Sequence, residues 1–277
     1  MNDSESTSKE SVSCEPSEHD DALENEMTFL EHLEEFRWAV ARSIVAFLIG
    51  VVIVCCFLPS IGEFLQIPLQ KAYASNGLEY TNLVSYKPMG VFSVFIQIAL
   101  LGGLVLSMPF VLYFMACFII PGLTDRERQI VRPACFAGFV LFIAGVAVAY
   151  YVILPLNLTI TVYFNQIMGQ VLFIAASEYY NMVVWFSLAT GAIFQFPLVI
   201  VTLIFIQVLS VSKLKSIRRP VLVGLMIFAA LLTPGGDFVS LIITTSIFYG
   251  LYELAIVFGS RIEKKQREAE LASWNEA

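Results

Sequence analysis

The chain has 277 residues, 58% of them hydrophobic and only 14% charged, with a mean hydropathy of +0.77 and a formal charge of -7. Soluble domains carry about a quarter charged residues and interrupt their apolar runs every few positions, so this composition excludes an ordinary soluble protein. It describes an all-α integral membrane protein, and because the negative charge comes largely from the first 26 residues it offers no surface for nucleic acid.

In chain order, residues 1–26 are polar and acidic, which predicts a disordered cytoplasmic tail and lacks the basic-then-apolar pattern of a cleavable signal peptide. The segment MTFLEHLEEFRWAVARS follows at 27–43. Thr28 and Glu31 fit the S/T-x-x-E capping box that opens a helix, and Glu34 precedes Arg37 by three residues, the spacing of an ion pair on one face. Glu35 has Trp38 and Ala39 at the corresponding positions and so no cation of its own. It is either a solvated carboxylate or one reserved for a partner's cation. Leu33, Phe36 and Val40 continue an apolar face from Phe29, as in an amphipathic helix lying against membrane or protein.

Apolar stretches of about 20 residues, enough to cross about 30 Å of hydrocarbon, then predict six transmembrane helices near 39–58, 89–120, 134–155, 183–211, 220–232 and 238–258. The second contains Gly102, Gly103 and Pro109 and is long enough to require tilt or a kink. The fifth and sixth spans are expected to be short, the fifth rising only about 20 Å. The membrane domain is thus 27–258, followed by a charged tail at 259–277. Arg126, Arg128, Arg132, Lys213, Lys215, Arg218, Arg219 and the basic residues from Arg261 to Arg267 all fall on one side, with Lys71 and Lys87 on the other. Basic loops stay cytoplasmic, so both termini are placed in the cytoplasm.

Most catalytic chemistries lack their parts. His19 and His32 are the only histidines, both ahead of the first span, and there is no H-E-x-x-H or G-x-x-x-x-G-K-[ST] motif. No nucleophile has a base beside it, no cofactor is called for, and the five cysteines read as small hydrophobes. The loop PGLTDRERQIVRP at 121–133 begins with the helix stop Pro121-Gly122, and its Thr124 and Glu127 form a second capping box. Within the spans, Gln195 is a polar group that must find a partner, and Glu253 is expected to snorkel to the lysines that follow. Pro68 reads as a helix start or kink, and Asp237 as part of the turn TPGGD. These features leave a polytopic solute or ion transporter open as an alternative, although its matched halves with charged midplane sites are missing.

Five motifs in order, F-L-E-H-L-E-E-F-R at 29–37, F-I-I-P-G-L-T-D-R-E-R at 118–128, F-Q-F-P at 194–197, R-R-P-V-L-V-G at 218–224 and L-L-T-P-G-G-D at 231–237, resemble the TatC family. This family provides the multi-spanning receptor subunit of the twin-arginine protein translocase. The resemblance implies a multi-pass protein of the inner (plasma) membrane that binds Arg-Arg signal peptides of folded precursors at its cytoplasmic face. It also implies translocation driven by the proton-motive force, small single-span partners of the TatA/TatB type, and a homo-oligomer within a larger complex. Carried over residue by residue, it places signal-peptide binding at Glu35 and Glu127, with Leu33, Phe36, Arg37 and Arg128 shaping the surface. Gln195 corresponds to a partner-subunit contact where the family often has glutamate, and Pro68, Pro121 and Asp237 are structural positions.

Overall fold

The computed structural model describes residues 29–80, 83–119, 125–170, 173–233 and 238–276. Within them the chain is helical: α1 (Phe29–Cys56), α2 (Leu58–Ser75), α3 (Gly90–Ile119), α4 (Asp125–Val148), a π-helical turn (Ala149–Ile153), α5 (Leu154–Ile167), α6 (Ala176–Ile193), α7 (Phe196–Phe205), α8 (Val211–Ser216), α9 (Arg218–Leu232) and α10 (Phe238–Glu276). The acidic segment 1–26, expected to be a tail, lies outside the described residues, as do Thr28, Thr124, Pro121 and Asp237.

Among the described residues, five helical stretches are long and apolar enough to cross a membrane: Leu33–Cys56, Gly90–Phe118, Pro133–Ile167, Ala176–Phe205 and Phe238–Glu268. Several expected limits shift, each for a physical reason. The third stretch does not stop at Pro155; a π turn absorbs the proline and the helix continues to Ile167. The fourth begins at Ala176, seven residues earlier than expected, and is broken at Phe194–Gln195, where Pro197 starts a new helix. The sixth is not short. α10 runs for 39 residues, because hydropathy marks where apolar residues end rather than where the helix ends, and Glu263–Arg267 and Glu268–Lys264 pairs at i,i+4 spacing support its charged half.

α1 and α3 run antiparallel in close contact, and glycine permits it. A Cβ on Gly50 would lie 2.7 Å from the Gly103 carbonyl oxygen, and one on Gly103 would lie 2.9 Å from the Val51 nitrogen. Small residues that let backbones approach are the usual adhesive between membrane helices, where apolar burial gives no advantage over lipid. Gly145 and Gly191 bring α4 to α6 in the same way, a Cβ at Gly145 falling 3.0 Å from the Gly191 Cα.

α2 follows the first span on the same side as the 76–89 loop and was not anticipated as a full helix. Pro68 lies inside it. A proline there removes one N–H and orphans the carbonyl four residues back. That carbonyl, on Phe64, accepts instead from the Tyr150 hydroxyl, and the neighbouring Leu65 and Gly62 carbonyls accept from Tyr179 and Tyr180. Gln66 links Tyr180 to Tyr80, donating at 2.9 Å and accepting at 3.0 Å. Burial, followed by Tyr180 and Tyr73, pushes the Tyr80 pKa up, which keeps the proton on the donor. Tyr150→Phe should leave the Phe64 carbonyl unpaired and cost about 1–3 kcal/mol, read as a lower thermal midpoint in detergent.

At the opposite end, α10 holds the connection between α7 and α8. Gln266 donates to the Phe205 carbonyl at the α7 C-terminus, Glu263 accepts from the Val211 amide at 3.0 Å, and the Tyr252 hydroxyl donates to the Leu214 carbonyl. Ile204, Val211, Leu214, Tyr252 and Ile256 form the apolar cluster beneath. Gln207, at φ 58, sits in the left-handed region within this connection. The double variant Glu263→Ala, Gln266→Ala should raise amide hydrogen exchange across 206–217 about tenfold or more, since two hydrogen bonds of about 1 kcal/mol each are lost.

Candidate functional site

The antiparallel packing of α1 on α3 brings the start of α1 against the end of α3. Counting from the Gly50–Gly103 contact, Phe36 falls opposite Phe118, and their rings are 5.1 Å apart between centroids. A cleft of about 670 Å³ opens beside this ring pair. Glu34, Glu35, Trp38, Ala39, Arg42, Tyr113, Phe114, Cys117 and Phe118 line it.

The three glutamates of the opening segment have separate positions. Glu31 lies where side chains are outside the description. Glu34 pairs with Arg37 at 3.5 Å, with both side chains mostly exposed at 63% and 74%, a pair worth under about 1 kcal/mol. Glu35 is only partly exposed, and its Oε2 is buried with no hydrogen-bond partner among the described residues. A carboxylate oxygen withdrawn from water and left unpaired carries a desolvation cost that an incoming donor would relieve. Leu33 and Phe36 are both exposed, at 48% and 44%, and Phe36 touches a cleft residue, Phe118. Glu127 and Arg128 belong to the first turn of α4, but their side chains are outside the description.

Arg42, Trp38, Tyr113 and Phe114 are cleft residues that sequence reasoning did not select. Arg42 was legible in principle, since it lies seven residues after Glu35 on the same helical face and is a charge inside an apolar stretch. The α3 aromatics could be placed only once the antiparallel register was known.

Gln195 occupies the break between α6 and α7 and points toward α4. Its Nε2 donates to the Gly138 carbonyl at 2.9 Å, and its Oε1 is buried without a partner. Gly138 leaves room for it, as a Cβ there would lie 3.3 Å from Oε1. Glu253 does not turn to the lysines that follow. It accepts from Arg218 of α9 at 2.8 Å and from the Tyr249 hydroxyl at 2.8 Å, because a guanidinium supplied by the neighbouring helix is nearer than a lysine further along its own axis.

Comparison with known proteins decides the family. The model of "Sec-independent protein translocase protein (TatC)" matches residues 31–246. The chain belongs to the TatC family. A TatC protein of Koribacter versatilis is 31% identical over 89% of this chain and 91% of its own length, and one from Synechocystis sp. is 31% identical over 82% and 85%. A crystal structure of the twin-arginine translocase receptor TatC superposes with a TM-score of 0.72 at 28% identity, covering 83% of this chain and 99% of that one. Membership makes the chain a membrane-embedded component of a Sec-independent protein translocase and not an enzyme.

Proposed function

We propose that this TatC protein is the receptor that binds paired-arginine signal peptides of folded precursors at the mouth of the α1–α3 cleft, for translocation driven by the proton-motive force. The observation that carries the proposal is the buried Oε2 of Glu35, which has no hydrogen-bond partner among the described residues and lies on a cleft of about 670 Å³. A guanidinium offers a planar fork of donors that a carboxylate accepts two at a time, whereas an ammonium is a single point. In this reading Leu33, Phe36 and Arg37 shape the surface on the α1 side, and Glu127 and Arg128 are assigned to peptide binding by the family resemblance alone. Its direct test is photocrosslinking in native membranes from residues 33–37 and 124–128 to a twin-arginine peptide, with a twin-lysine peptide as control. Labelling by the first and not the second is expected; equal labelling would contradict the proposal.

The same reading places six crossings, both termini in the cytoplasm and the protein in the inner (plasma) membrane. α9 supports the sixth crossing: it has 15 residues, about 22 Å of rise, and the Arg218–Glu253 pair and Phe228–Phe248 contact run it antiparallel to α10. The acidic 1–26 segment and the 259–277 segment then both face the basic side of the molecule. Single-span subunits of the TatA/TatB type dock near Gln195, whose unused Oε1 is an acceptor for a partner helix. Several copies assemble in the working complex.

A further inference from the structure

The cleft holds two charges of opposite sign that do not satisfy each other. Among the described residues, no ion pair involves either Glu35 or Arg42, although both line the same space. Seven residues at 1.5 Å separate their backbones by about 10 Å on the same face of α1. A simple anion at Arg42 would meet the carboxylates of Glu34 and Glu35. A simple cation at Glu35 would meet Arg42. The charge pattern is complementary to a ligand that carries both signs on a short link, with its apolar portion set against Trp38, Tyr113, Phe114 and Phe118. Tryptophan and tyrosine are the side chains that sit at headgroup level in membranes, and Arg42, exposed near the start of the first apolar stretch, is a cation that reaches the same level.

We propose that, before cargo arrives, this cleft holds the headgroup of a phospholipid bearing a primary amine, with its phosphate on Arg42 and its ammonium on Glu35. The ammonium supplies the donor that Glu35 Oε2 lacks. A quaternary ammonium cannot donate a hydrogen bond, so a choline headgroup is a poor substitute. An arriving signal peptide then displaces the lipid by exchanging one donor at Glu35 for the stronger forked pair of a guanidinium; this displacement rests on the receptor function proposed above.

The test uses the full chain in nanodiscs containing a photoactivatable phosphatidylethanolamine, with phosphatidylcholine and phosphatidylglycerol analogues of the same chain length in parallel. The ethanolamine lipid should label cleft residues of α1 and α3. Labelling should fall about fivefold or more in Glu35→Gln and in Arg42→Gln, be restored by Arg42→Lys, and fall again with excess twin-arginine peptide. Unchanged labelling in Arg42→Gln, or equal labelling by the choline lipid, overturns the proposal. So does phosphatidylglycerol labelling that ignores Glu35→Gln, which would identify a phosphate-only site. Peptide affinity measured in phospholipid-free detergent separates the two claims. If Glu35→Gln weakens the peptide there while lipid labelling ignores both variants, the receptor site stands and the lipid site fails; unchanged peptide affinity in Glu35→Gln removes the receptor site itself.

Discussion

Glu35→Ala should weaken binding of a twin-arginine peptide by at least about thirtyfold, which is about 2 kcal/mol and the low end for removing one partner of a desolvated charged pair. Fluorescence anisotropy on the solubilised receptor measures it. The magnitude follows from the position of the carboxylate. Its Oε2 is already out of water and has no partner among the described residues, so the desolvation of that oxygen is incurred before the peptide arrives. The adjacent Glu34 provides the contrast. It is exposed and engaged with Arg37, so Glu34→Ala should change affinity by less than about fivefold. Equal effects at the two positions would mean that general acidity of the segment, rather than one carboxylate, attracts the peptide.

The second large effect is structural. Gly103→Val should destabilise the protein by about 1–3 kcal/mol or more, and should separate α1 from α3. Its Cβ would lie 2.5 Å from the Val51 Cγ2 and 2.9 Å from the Val51 nitrogen. A side chain can rotate away from such a clash, but a backbone nitrogen cannot, so the helices must part. Thermal unfolding in detergent reports the first consequence, and a spin-label distance between α1 and α3 the second. Gly224→Val is the matched control, since a Cβ at Gly224 meets nothing within 4 Å. A loss of stability at 224 as large as at 103 would show that helix propensity, not the close approach, sets the cost. Because the Phe36–Phe118 contact lies on the same pair of helices, Gly103→Val should also weaken peptide binding without touching a cleft residue.

The membrane class and the main helices are legible in the sequence because long apolar runs have few alternatives in a bilayer. Their ends are less so. Pro155 reads as a helix boundary, yet a π turn lets the helix pass through it. The segment 259–277 reads as a tail, yet Glu263 and Gln266 are held by backbone groups of a segment some 50–60 residues away in sequence. At the site, the pairing of Glu34 with Arg37 and the isolation of Glu35 follow from i,i+3 and i,i+4 spacing, and the structure has both. The α3 wall of the cleft does not follow from spacing, because it depends on which carbonyl Gly50 meets. Likewise the partner of Glu253 is a tertiary fact: Arg218 is 35 residues away in sequence and 2.8 Å away in space.

The most direct test of the account is a four-way comparison of affinities, in which twin-arginine and twin-lysine peptides are each bound to the wild-type receptor and to Glu35→Gln. A carboxylate matched to a guanidinium fork gives the wild type a clear preference for arginine, and the account predicts that glutamine, which keeps the size but loses the charge and one acceptor, reduces that preference to near unity. A preference for arginine that is the same size in both receptors would contradict it.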